Sequence, residues 1–308
     1  MKFYRIVFIS IFAFLSSVSF IESSICPEFV TIYVHGAQEW WLKATLSKDL
    51  WYCPLNLHPV SELLDSSLIK QDAKRIAALD PCLFSFEHYY TFGWAGNLSF
   101  QVRKNEGERL FQETQKLLLE YQQKYGMMPK IRFIGFSHGC NVVLNAINCL
   151  PYFSDCSIYT EIILLVCPVQ KPTEAYIENS YINRAYVLCA DNDYVQTMDW
   201  YKHEGSWYLP RKFFQIKKKK KIVQYSIFVN NKPLSHTDFM HAFMLHIPLI
   251  RKKSELYFND NLKFENSECV QKMIDFAGIE YFKINIFDEK YIYYSLLNSA
   301  GLYGVRYE

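Results

Sequence analysis

Ser137 stands in GFSHG, with Gly135 two residues before it and Gly139 two residues after it. The apolar run KIRFI leads into this pentapeptide, and the helix-like run CNVVLNAINCL follows it. A strand that turns abruptly into a helix forces the residue at the turn into a strained conformation, where bulky neighbours two positions away would clash. Glycine at both positions removes the clash. The serine hydroxyl is then lifted to a helix N-terminus, where backbone amides favour developing negative charge. A hydroxyl so placed can attack an acyl carbon if an imidazole takes its proton and a carboxylate orients that imidazole. The pentapeptide alone is common by chance, so the flanking elements and the downstream residues decide its meaning. Two aspartates, Asp191 and Asp193, follow the run AYVLCA, and His236 follows the apolar run that begins at Lys221. Serine, acid and histidine therefore occur in that order.

Six short apolar runs supply the elements that would position these groups: FVTIYVHG from Phe29, LFSFEHY from Leu83, KIRFIGF from Lys130, EIILLVCP from Glu161, AYVLCA from Ala185 and KIVQYSIFV from Lys221. Each is nearly continuous in apolar residues rather than alternating, which suits strands covered on both faces. Helical patterns lie between several of them, notably SELLDSSLIKQDAKRIAALD and NEGERLFQETQKLLLEYQQKYG. The second carries a stripe of Leu110, Phe111, Leu117, Leu118 and Tyr121 and ends at Gly126. Strand and helix in alternation predict an α/β protein with a mostly parallel central sheet and helices on both faces.

These residues resemble the α/β-hydrolase family, in particular its lipase-like and esterase-like members, over roughly Phe29 to Phe243. GFSHG at 135–139 is similar to the family's nucleophile elbow, and HGAQ at 35–38 to its oxyanion-hole loop. FGWAG at 92–96 with Arg103 and Gly107 is similar to a W-x-G then R-x-x-x-G arrangement of the lipase-like members. Cys140 departs from the pattern, where a third small residue is common; cysteine is still compact. The resemblance implies a triad of Ser137, Asp193 and His236, with Asp193 three residues beyond the small residue Ala190 and Asp191 as its competitor. It also implies that the backbone amides of His138 and Ala37 hold the oxyanion. His35 and His138 are then neighbours of the site rather than bases. His241 and His246 fall in a helix-like run with Phe239, Phe243 and Leu245 and read as packed or surface histidines, while His58, His88 and His203 have no supporting context. The activity so implied is hydrolysis of carboxylic esters, of small molecules or of lipids, with no metal or organic cofactor. The same triad would serve a thioesterase or amidase, and a hydrolase scaffold can also persist as a catalytically inactive binding protein.

The rest of the chain bounds these readings. Among 308 residues, 33 basic and 31 acidic side chains leave a formal charge of +2, which provides no global field for nucleic acid. Half of the residues are apolar, ample for a dry core. At the N-terminus, Lys2 and Arg5 precede an apolar stretch from Ile6 to about Leu15, followed by small residues. That is the layout of a secretory signal peptide over residues 1–22, too short for a spanning helix, so the chain is expected to be exported to a periplasm or secreted. Residues 23–250 then form the hydrolase-like domain, and 251–308 an extension packed on it. That extension contains the helix-like stretch SECVQKMIDFAG. Nine cysteines, without CxxC pairs or metal-ligand spacing, set no disulfide pattern, although Cys149 and Cys156 are close enough in sequence to pair. The lysine run 217–221 reads as a solvated approach to the next strand, with contact to an anionic membrane surface as the alternative. Trp40, Trp41, Trp94 and Trp200 could line a lipid site or sit in the core.

Overall fold

The computed structural model describes residues 26–37, 53–150, 158–193, 212–213, 221–240, 242–259, 270–274 and 280–286. Strands β1 (Phe29–Val34), β2 (Asn56–Pro59), β3 (Tyr89–Gly93), β4 (Lys130–Phe136), β5 (Thr160–Leu165), β6 (Ile182–Cys189), β7 (Ile222–Val229), β8 (Lys232–Pro233), β9 (Val270–Ile274) and β10 (Glu280–Ile286) belong to one sheet. Its order is β2-β3-β1-β4-β5-β6-β7-β10-β9, with β8 added to β7. Every neighbouring pair from β3 across to β10 is parallel, and β2, β8 and β9 join antiparallel. This is an α/β architecture with a mostly parallel sheet.

The continuous apolar runs make sense because successive side chains of a strand point to opposite faces and both faces are covered. In β4, Ile131 and Phe133 join one core while Ile134 and Phe136 join the other. Helices α1 (Leu68–Leu79) and α4 (Ile247–Asn259) close the first face through Ile69, Ala73, Ile76, Ile247 and Ile250. Helices α2 (Phe100–Tyr125) and α3 (Gly139–Cys149) close the second through Leu110, Leu117, Leu118, Val142, Val143 and Ile147.

Helix α2 starts earlier than the position near Asn105 that its apolar stripe marks. Ser99 caps it by accepting a hydrogen bond from the Val102 amide, which allows a polar first turn. It stops at Gly126, in the left-handed conformation with φ 74°. Gly107 sits where α2 crosses α3. A Cβ there would come within 2.4 Å of the Asn145 Cβ and 2.9 Å of the Ala146 nitrogen. Gly107→Ala is therefore expected to separate the two helices and lower stability by about 1–3 kcal/mol, measurable as a reduced urea midpoint.

Two sequence expectations are corrected. The run from Leu83 does not form a strand at once: Phe86–His88 is a 3₁₀ turn, and β3 begins only at Tyr89. Within SECVQKMIDFAG, residues Val270–Ile274 form strand β9 rather than helix, paired antiparallel to β10. Residues 280–286 in turn pair with β7, so part of the segment after residue 250 extends the central sheet. Residues 1–25, most of the stretch between Asp193 and Lys221, and Trp40, Trp41 and Trp200 lie outside the described residues. Among the described residues, no helix is long and apolar enough to cross a membrane.

Candidate active site

Strand β4 ends at Phe136 and α3 begins at Gly139, so the chain turns within two residues. Ser137 occupies that turn with φ 52°, in the left-handed region that non-glycine residues seldom enter. Strain of this kind costs on the order of 1–3 kcal/mol and persists only where its surroundings over-determine it. Here they do. The Ser137 amide extends the parallel ladder by donating to the Leu165 carbonyl at 2.9 Å, and the Ser137 carbonyl accepts from the Cys140 amide at 3.0 Å.

Both flanking glycines are required by close approach. A Cβ on Gly139 would lie 2.4 Å from the carbonyl oxygens of Val34 and His35, and one on Gly135 would lie 2.8 Å from the Cys140 Cα. The end of β1 thus passes directly over the elbow. Gly36 continues this contact, since a Cβ there would sit 3.0 Å from the Ser137 Cβ. Cys140 fits because its thiol turns inward, toward the Gly135 carbonyl at 3.1 Å.

His236 and Asp193, distant in sequence, meet at this end of the sheet. The His236 Nδ1 donates to the Asp193 Oδ2 at 2.7 Å, with both side chains buried. A carboxylate can only accept, so Nδ1 carries a hydrogen, and in the neutral ring the lone pair is then on Nε2. The imidazole packs against the ring of Phe136, the residue before Ser137, with centroids 5.3 Å apart. Asp191 is engaged elsewhere: its Oδ1 accepts from the Ser226 hydroxyl at 2.7 Å and faces the Lys212 ammonium at 3.6 Å. The structure therefore brings Asp193 to the imidazole and turns Asp191 toward β7.

No protein-family model matches the chain, and no curated protein matches it.

Several further residues support the site. The Asp238 carboxylate accepts from both the amide and the hydroxyl of Ser235, at 2.7 Å each, and so fixes the turn that carries His236. The spacing Ser235-x-x-Asp238 was a readable signal for this cap. On the other flank, the Asn141 side-chain Nδ2 donates to the Pro168 carbonyl at 3.1 Å and the Thr173 hydroxyl donates to the Asn141 Oδ1 at 2.6 Å. These bonds clamp the segment after β5 against the elbow. Val166, the residue directly after β5, has φ 46°, a second strained position beside the first. Of the remaining histidines weighed, His88 bonds the Tyr121 hydroxyl at 2.6 Å and His58 the Leu55 carbonyl at 2.8 Å. His203 and His241 lie outside the described residues.

Neighbouring thiols are poor rivals to the serine. Burial pushes the Cys167 thiol well above its ordinary value, and the nearby Cys140 adds to the effect. Burial likewise pushes Cys189 up to about 12. A thiol held protonated at neutral pH is not the nucleophilic form.

Proposed function

We propose that this chain is a serine hydrolase of the α/β-hydrolase kind that cleaves carboxylic esters through an acyl-enzyme intermediate. The observation that carries this reading is the buried His236–Asp193 pair packed against Phe136, the residue that precedes the strained Ser137 between strand and helix. The strand order, with an antiparallel edge strand followed by a parallel run and the elbow after a central strand, agrees with it.

In this mechanism His236 Nε2 takes the Ser137 proton as the hydroxyl attacks the ester carbonyl. Asp193 holds the ring with its proton on Nδ1 and stabilises the imidazolium that forms. Collapse of the tetrahedral intermediate breaks the bond to the alkoxy group, which receives the proton from Nε2 and departs as an alcohol. A water molecule, deprotonated by the same imidazole, then releases the acid. The backbone amides of Ala37 and His138 are assigned to the oxyanion, and loss of one such donor typically costs about 2.7–4 kcal/mol of transition-state stabilisation. The proposed substrates are small-molecule or lipid esters. With the leader of residues 1–22 removed, the enzyme acts after export, and peripheral contact with a membrane is part of the same proposal.

The test is hydrolysis of short- and long-chain p-nitrophenyl esters by the mature chain. Ser137→Ala is expected to lower kcat by on the order of 10⁶-fold, because the triad acts as a unit. Equal rates for parent and variant would reject Ser137 as the nucleophile.

A further inference from the structure

We propose that Trp94 and His35 are positioning residues for the oxyanion loop: Trp94 fixes the His35 ring, and His35 turns the Gly36–Ala37 peptide so that its N–H faces the reaction site. The inference rests on the serine-hydrolase reading and adds to it the residues that aim one oxyanion donor.

Three hydrogen bonds define the arrangement. The Trp94 indole N–H donates to the His35 carbonyl at 2.7 Å, and the Trp94 backbone N–H donates to His35 Nε2 at 3.1 Å. His35 Nδ1 meets the Gly36 carbonyl at 2.6 Å. The rings stack with centroids 5.7 Å apart and planes 20° from parallel. Both residues are buried.

These partners settle the ring's proton. A backbone amide can only donate, so Nε2 must present its lone pair to Trp94; a carbonyl can only accept, so Nδ1 must carry the hydrogen toward Gly36. His35 is therefore a neutral imidazole with a single tautomer, opposite in purpose to His236. It holds a peptide and receives no substrate proton.

The peptide it holds is the decisive one. The Gly36 carbonyl and the Ala37 amide belong to the same planar unit, and no peptide among the described residues is cis. In a trans peptide the N–H points opposite to the C=O. Pinning the Gly36 oxygen on the His35 ring thus aims the Ala37 N–H away from that ring. Gly36 itself lies against Phe136 and Ser137, where a Cβ would meet the Phe136 ring and the Ser137 Cβ at 3.0 Å. The donor is held beside the nucleophile by a side chain that never touches substrate.

The test compares four forms of the full mature chain: the parent, His35→Asn, His35→Gln and Trp94→Phe. Asparagine places its amide nitrogen where Nδ1 was and can still donate to the Gly36 carbonyl. Glutamine places its oxygen where Nε2 was, satisfying Trp94 but leaving the Gly36 peptide unheld. On p-nitrophenyl butyrate, His35→Gln is expected to lose kcat by on the order of 10²-fold with KM little changed, as for a misaimed catalytic group. His35→Asn should recover most of that loss. Trp94→Phe, which keeps the ring but lacks the indole N–H, should lose about tenfold in kcat. Thermal melts of all four accompany the kinetics. A purely structural role predicts that kcat follows stability, with Asn and Gln equally impaired; that result, or kcat within twofold of the parent for both Gln and Phe variants, overturns the inference. A parent that neither hydrolyses esters nor reacts with a fluorophosphonate overturns the hydrolase reading itself, and this inference with it.

Discussion

Asp193→Asn is expected to lower kcat for ester hydrolysis by on the order of 10⁴-fold while leaving the melting temperature nearly unchanged. The carboxylate accepts the Nδ1 hydrogen of His236 at 2.7 Å. An asparagine amide turned toward the ring would favour the other tautomer, with hydrogen on Nε2, and the imidazole could then no longer take the Ser137 proton. The matched control is Asp191→Asn. Its side chain can still accept from Ser226, and its charge faces Lys212 rather than His236, so kcat should remain close to the parent value. Steady-state kinetics of both variants, with melts by circular dichroism, decide between the two aspartates. A large loss in the Asp191 variant and none in the Asp193 variant would reverse their roles.

The largest expected effect on stability lies at the opposite end of the sheet. Arg132 on β4 and Glu161 on β5 have fully buried side chains and form an ion pair, and Arg251 on α4 adds bonds to the same carboxylate at 3.1 and 3.0 Å. The Arg132 guanidinium is stacked between Phe29 and Phe84, with centroids 4.2 and 4.1 Å away. One carboxylate thus answers two guanidinium groups and ties α4 to the sheet. Glu161→Ala leaves the Arg132 charge uncompensated in a dry interior, while Arg251 keeps Glu255 at 3.7 Å, and the change should cost about 3–5 kcal/mol. The desolvation cost of the intact cluster is itself large, so replacing all three residues with Met or Leu should recover most of that loss. Urea denaturation measures both. An unchanged midpoint for Glu161→Ala would show that the cluster does not hold the helix.

The sequence disclosed what was local and left hidden what was not. The elbow was legible because Gly135, Ser137 and Gly139 encode a steric requirement within five residues, and the structure shows the carbonyls and Cα that a side chain would strike. The central strands were legible because burial on both faces leaves a continuous apolar run. Edge strands lack that signature. Asn56–Pro59 is short and polar, and VQKMI has apolar positions spaced as in a helix, so only pairing with β10 makes it a strand. The run from Leu83 misled for another reason: Phe84 is buried against Arg132 from a turn rather than from a strand. Within the site, chain order left Asp191 and Asp193 open and the resemblance implied Asp193 with His236, but only the fold brings these two side chains within hydrogen-bond distance. The bonds between His35 and Trp94 join residues 59 positions apart, and no spacing rule could have announced them.

The most direct measurement of the central claim is covalent: the mature chain is treated with a fluorophosphonate probe at neutral pH, digested, and the adduct located by mass spectrometry. The account predicts one adduct per chain, on Ser137, lost in Ser137→Ala and strongly slowed in His236→Ala. Absence of labelling on a folded parent chain, or an adduct on another residue that persists in Ser137→Ala, would contradict it.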